Sequence, residues 1–212
     1  MNIDNQKEYW DSVAEQKTFT HKLDHALLGN CVQTDSHILD YGCGYGRIVK
    51  ELLDLGYTNV VGFDTSKELV KRGKRDGNLP LYHIENPVGL SVAENSLDCV
   101  LLFAVLTCIP SNKGQKELMN LLYSKLKPNG ILYISDYYLQ HDITEVGKYE
   151  FLEGDEQNFG VFHLAEGVVF RHHTKEWISE LTANFNMLEE HQVTVKTMNG
   201  HEARAFQLIL RK

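Results

Sequence analysis

The run from Ile38 to Val49, ILDYGCGYGRIV, sets a carboxylate, Asp40, ahead of three alternate glycines, Gly42, Gly44 and Gly46, and a helix-like stretch. A glycine loop lets a ligand approach bare backbone, and the helix N-terminus behind such a loop commonly receives phosphate. Asp40 would repel a diphosphate and suits a ligand that carries an ammonium or sulfonium group. The Gly-x-Gly-x-Gly spacing also differs from the Gly-x-Gly-x-x-Gly of dinucleotide folds. The same glycines could instead form a tight turn that only packs a helix on a strand.

Other residues able to move protons cluster later in the chain: Tyr138, His141, His163, His172 and His173. Ten histidines are present, so most must be incidental surface residues. His172 and His173 are consecutive, and on a strand they face opposite sides, so one site takes only one of them. No histidine pair stands at ligand spacing on an expected helix, and no metal site is expected. Cys31, Cys43, Cys99 and Cys108 form no Cys-x-x-Cys pair and are expected as free thiols of a reducing cytosol.

The elements that must position these groups follow from apolar pattern and punctuation. HILDYG reads as a buried strand, and GRIVKELLDLG as a helix with Ile48, Leu52 and Leu55 at helical spacing before Gly56. NVVGFD is a second strand, after which Thr65 or Ser66 caps the helix KELVKRGK. LDCVLLFAVL is a strongly apolar strand ending near Pro110; Ser111 caps a helix through Leu118, Leu122 and Leu126; and ILYISDYY follows a KPNG turn. From Leu139 to Arg171 acidic residues, glycines and aromatics (Tyr149, Phe151, Phe159, Phe162, Phe170) run without clean periodicity. That length suits either a lid over a flat or apolar substrate or a satellite core under a long loop. TKEWISELTANF reads as a helix, and LEEHQVTVKTM and EARAFQLILRK as strands joined in a hairpin across Asn199-Gly200.

With 212 residues, 42% of them hydrophobic, the chain can build one sizeable core. A net charge of −8 disfavours nucleic acid as a partner. The basic cluster KRGKR, Lys71 to Arg75, suits a solvated helix end better than a nucleic-acid patch. No apolar run is long enough for a bilayer and the start is polar, so a cytoplasmic protein with no membrane partner is expected, as monomer or homodimer.

Four stretches in order carry a family resemblance. LDYGCGYGR resembles the first motif of the class I S-adenosylmethionine-dependent methyltransferases, VVGFDTS the second, NSLDCVLLFAVLTCIP the fourth-strand motif, and LKPNGILYISDY the Leu-Lys-Pro-Gly-Gly turn and fifth strand. The likeness covers Ser36 to Asp136, about half the chain, and four ordered motifs are far more specific than one glycine loop. It implies an α/β fold of the Rossmann-like, doubly wound type: a mostly parallel seven-stranded sheet with an antiparallel last strand and helices on both faces. The expected organisation is a single methyltransferase domain over 1–212, with an N-terminal helical flap (1–35), a cofactor-binding core (36–136), a candidate lid insertion (137–171) and a C-terminal helix and β-hairpin (172–212).

The resemblance also implies roles. Asp40 and the loop of Gly42, Cys43, Gly44 and Gly46 would hold the methionine moiety of S-adenosylmethionine, and Asp64 would accept both ribose hydroxyls, matching two adjacent donors with two oxygens. Thr65 and Ser66 would flank the adenosine, Asn86 would accept the adenine amino group, Phe103 and Leu106 would line the floor, and Trp10, with Tyr9 and Phe19, would form the flap. The other readings are Asp64 as a helix cap, Phe103 and Leu106 as core, and the N-terminal aromatics as plain anchors. Two positions depart from the family: Asn86 replaces an acidic residue and is followed by Pro87, which offers no N–H, and Asn129 replaces a glycine.

The expected activity is methyl transfer from S-adenosylmethionine to a nucleophilic atom of a small molecule by in-line displacement, leaving S-adenosyl-L-homocysteine. The catalytic residue is left open, with Tyr138, His163 and His172 as substrate-side candidates. Alternatives are an NAD(P)-dependent oxidoreductase and a non-catalytic protein that holds S-adenosylmethionine.

Overall fold

A sheet buried on both faces needs strands that are apolar along their whole length, and the central strands here are of that kind. In the computed structural model, which describes residues 3–140 and 147–212, seven strands form one sheet. They are β1 (His37–Tyr41), β2 (Asn59–Asp64), β3 (Leu81–His83), β4 (Leu97–Phe103), β5 (Leu126–Tyr137), β9 (Asn186–Lys196) and β10 (Glu202–Arg211), in the order β3-β2-β1-β4-β5-β10-β9. β10 runs antiparallel to both its neighbours, and the pairs among β1 to β5 are parallel. The expected reversed last strand is therefore the second arm of the hairpin at Asn199-Gly200, and it lies inside the sheet with β9 at the edge.

Alternation along each strand divides the core into two layers. Leu39, Val100, Leu102, Leu132 and Ile134 face α5 (Asn112–Lys125) and α6 (Lys175–Leu181), while Ile38, Cys99, Leu101 and Tyr133 face α2 (His25–Gly29), α3 (Arg47–Asp54) and α4 (Lys67–Gly77). The expected caps at Ser66 and Ser111 are present, accepting from Leu69 N and Gly114 N, and Thr174 caps α6 in the same way, accepting from Trp177 N. Basic residues of KRGKR do more than complement the end of α4. Arg72 donates to the carbonyls of Ala14 and Lys17, and Arg75 pairs with Glu15, so this helix clamps the N-terminal segment.

Three elements differ from expectation. β4 stops at Phe103, short of Pro110, because Ala104 takes a left-handed φ of 54° and a single 3-10 turn (Leu106–Cys108) follows. The KPNG turn is an excursion inside β5: Leu126 pairs with Leu97, Ile131 with Cys99, and Asn129 adopts φ 67° between them. Thirdly, the segment expected as irregular contains a three-stranded antiparallel sheet of β6 (Glu150–Leu152), β7 (Asp155–His163) and β8 (Val169–Arg171). β6 and β8 are too short to show a period of two, and β6 pairs with register shifts, which hides the pattern further. The short β3 escapes sequence pattern for the same reason.

Gln115 ties the 3-10 turn, α6 and His173 together within the core. It is fully buried on α5, its amide donates to the carbonyls of Leu106 and Ile109, its oxygen accepts Trp177 Nε1, and its Nε2 lies 2.9 Å from His173 Nε2. Replacement with an apolar residue strands several buried groups at once. Gln115→Leu is expected to lower the unfolding free energy by about 2–3 kcal/mol in urea titration; an unchanged midpoint would refute this role.

Candidate functional site

β1 and β2 end side by side, and each delivers a carboxylate to the same place. Asp40 and Asp64 are 2% and 9% exposed and line one cavity of about 420 Å³. Burial drives Asp40 up to about 8, against the pull of the Arg47 guanidinium and with a push from Asp64. Burial also raises Asp64, although its carboxylate accepts N–H groups from Ser66 and Gly44, both at 2.7 Å. Each oxygen of Asp64 thus holds one backbone donor and keeps a further acceptor site.

The glycine loop takes φ of 71°, 56° and 78° at Gly42, Gly44 and Gly46, a left-handed sequence that side chains resist. Gly44 is also sterically bare by need, since a Cβ there would sit 2.1 Å from the Phe19 ring. Gly42 and Cys43 line the cavity, whereas Gly44 is covered by Phe19 and Gly46 abuts Leu79 and Leu81. Phe19 in turn stacks on Tyr45 at 5.2 Å, with the Arg72 guanidinium 4.0 Å from the Tyr45 ring. Phe19 lies outside the short α1 (Lys7–Ser12), so the N-terminal cover is helical only in part.

Of the residues singled out from sequence, Trp10, Asp40, Gly42, Cys43, Asp64, Thr65, Phe103 and His172 converge on this cavity. Ser66 does not: fully buried, it caps α4 and donates its hydroxyl to Asp11 at 2.7 Å. Asn86 is turned to its own loop, its Oδ1 accepting Val88 N at 3.2 Å, and Ile84 and Pro87 form the wall there, with Tyr41 Oη donating to the Pro87 carbonyl. Leu106 lies in the core and Val105 takes its place at the wall.

Alternation also corrects the proton-moving candidates. Along β5, Tyr137 faces the cavity and Tyr138 the opposite side, where it packs on Phe206 and its phenol donates to Glu190. Along β7, Phe162 faces in and His163 faces solvent, 3.1 Å from Glu150. His172 lines the cavity with Nδ1 2.7 Å from Tyr149 Oη, and burial holds its pKa well below the usual histidine range. His173 turns the other way to the Tyr137 carbonyl and Gln115, and burial lowers it to about 3. His141 lies outside the described residues. Among the described residues no group of three or more His, Cys, Asp or Glu side chains is placed to hold a metal ion, and no helix is long and apolar enough to cross a membrane.

Other wall residues escaped the sequence. His21 and Tyr137 line the cavity, as does the tip of the β9–β10 hairpin from Thr197 to Asn199. His21 lies on an extended segment with no period to mark it. The hairpin had a signal: its strands are longer than β1 to β4, so the tip projects past the ends of β1 and β4. Phe162 and Phe170 line the cavity and also pack with Val168, Tyr9 and Trp10 as a satellite core, while Phe151 is exposed.

A sheet of this strand order, with a carboxylate-flanked glycine loop at the end of β1, defines a Rossmann-like methyltransferase-type domain. Residues 39–134 match the family described as "Methyltransferase domain". The chain is 33% identical over 119 residues to O-methyltransferase 3 of Dictyostelium discoideum, spanning 51% of this chain and 27% of that protein. It is 30% identical over 115 residues to a carboxy-S-adenosyl-L-methionine synthase of Shewanella sediminis, spanning 50% and 46%. These matches therefore span under half the length of both curated relatives. A crystal structure described as a SAM-dependent methyltransferase from Methanosarcina mazei superposes with TM-score 0.81 at 23% identity, over 91% of this chain and 99% of that one. Over residues 39–134 the chain is thus similar to the methyltransferase domain family.

The raised Asp40 carboxyl has a consequence for stability. Its folded pKa of about 8 lies above the ordinary 3.8, so the folded chain binds the extra proton between those values and loses stability as pH rises through that window. Without ligand, Asp40→Asn is expected to be more stable than the parent chain at pH 8 by more than about 1 kcal/mol, with the gap closing at pH 4. Urea titrations at both pH values measure it, and a gap independent of pH would refute it.

Proposed function

We propose that this chain transfers a methyl group from S-adenosylmethionine to a nucleophilic atom of a small molecule. The observation that carries the reading is the pair of buried carboxylates, Asp40 and Asp64, delivered to one cavity by adjacent strand ends. The donor set fits this cofactor: Asp40 suits a cationic amino-acid group, and the free acceptor sites of Asp64 suit two adjacent ribose hydroxyls. Gly42 and Cys43 would lie along the methionine portion, and Thr65, Ile84 and Pro87 would flank the adenine. Phe103 and Val105 would form the floor. When bound, the sulfonium supplies an electrophilic methyl carbon.

The remaining residues orient the acceptor and exclude water. Trp10, Phe162 and Phe170 roof the cavity, and the hairpin tip closes its far side, with Lys17 Nζ 3.5 Å from Asn199 Oδ1. In this reading residues 36–136 hold the cofactor, 1–35 and 137–171 close over the acceptor as flap and lid, and 172–212 complete the single domain. A walled cavity and a charge of −8 favour a small molecule over nucleic acid. The four free cysteines suit the cytoplasm.

Calorimetry tests the reading. S-adenosylhomocysteine is expected to bind with micromolar affinity, and Asp64→Ala to weaken it about 100-fold, the size expected for two lost charge-assisted hydrogen bonds. Saturable NADH binding at low micromolar concentration, with none for S-adenosylhomocysteine, would overturn it.

A further inference from the structure

His21 is set into the cavity wall with more support than an incidental histidine receives. It is 3% exposed, its Nδ1 lies 2.9 Å from Ser135 Oγ, and its carbonyl accepts Arg47. Its ring stands edge-on to Tyr137 at 4.6 Å and 85°. The Nε2 atom, by contrast, is buried without a hydrogen-bond partner among the described residues. A buried polar atom left unpaired in an otherwise anchored ring marks a place where a ligand is expected.

The surroundings indicate what kind of ligand. Tyr137 stacks on His172 at 5.0 Å and 26°, Phe162 meets His172 edge-on, and Trp10 and Phe170 complete the walls. Flat walls select a flat guest. We infer that His21 Nε2 accepts the proton of an aromatic hydroxyl held among these rings, and that such a hydroxyl is the methyl acceptor. This rests on the methyltransferase reading above.

An aromatic hydroxyl enters a neutral solution protonated, with a pKa of about 10, so it needs a base during transfer. Burial and then the Arg47 charge lower His21 to about 4, which keeps its ring neutral and able to accept. With Nδ1–H donated to Ser135 Oγ, the ring's lone pair is on Nε2. The O–H bond breaks with its proton passing to Nε2; the pair left on oxygen forms the bond to the methyl carbon, and the C–S pair stays on sulfur. The transfer moves one positive charge from sulfonium to imidazolium, so the net charge of the site does not change. The titratable and charged groups around His21 are Arg47, His172 and Tyr137.

The test uses the full chain, labelled with 15N-histidine and saturated with S-adenosylhomocysteine, with 2-naphthol and 2-methoxynaphthalene as probes. The nitrogen shifts of His21 are expected to report the Nδ1–H tautomer, and 2-naphthol to move the Nε2 resonance while 2-methoxynaphthalene leaves it in place. His21→Gln is expected to weaken 2-naphthol at least tenfold, with S-adenosylhomocysteine affinity within twofold of the parent. Absence of 2-naphthol binding, an Nε2 resonance that does not move, or an Nε2–H tautomer overturns the inference. Loss of S-adenosylhomocysteine together with 2-naphthol in His21→Gln also overturns it, because the residue would then be a structural support. If the parent chain itself fails to bind S-adenosylhomocysteine, it is the methyltransferase reading that falls.

Discussion

The Asp64 carboxylate holds the glycine loop in place, and the rest of the site is arranged around that grip. One oxygen takes the Gly44 N–H and the other the Ser66 N–H, both at 2.7 Å, so a single side chain joins the turn after β1 to the start of α4. A carboxylate removed from water needs several donors to stay there. Two come from backbone, and each oxygen keeps a lone pair for a further donor. Asp40, deeper and with no hydrogen-bond donor among the described residues, is held closer to neutrality by the same burial. The two acids therefore differ in character although they lie on neighbouring strands.

Much of this was legible in the chain. The glycine loop, both acids, the order of the long strands and the Asn-Gly hairpin all follow from local rules: apolar runs bounded by turn residues, and caps at helix starts. The failures have a common physical cause. Tyr138, His163, Ser66 and Leu106 were placed in the right segment but on the wrong side, because sequence adjacency locates a residue and only strand or turn geometry decides which way it points. β3, β6 and β8 have three residues each, fewer than a period can reveal. His21 could not be read at all, since its meaning comes from Ser135, more than a hundred positions away.

The roof differs in kind from the floor. Below, parallel strands and their helices bury residues in two continuous layers. Above, a small antiparallel sheet, an extended N-terminal strap and a hairpin tip meet through a few contacts: Gln6 donates to and accepts from Val169 of β8, and Trp10 packs on Phe19 and Phe170. Such contacts fix a shape without a large shared core. Variation in the roof can accordingly change which acceptor fits while the layers beneath stay constant.

The position of β10 bears on how the molecule is born. It is made after every other strand of the sheet, yet it sits between β5 and β9 and pairs with both. On the ribosome the first five strands can associate early, but their exposed edge at β5 stays open until the final hairpin emerges. The hairpin tip and the strap near Lys17 also meet across the same cavity. The chamber therefore stays unfinished until that hairpin has emerged and paired.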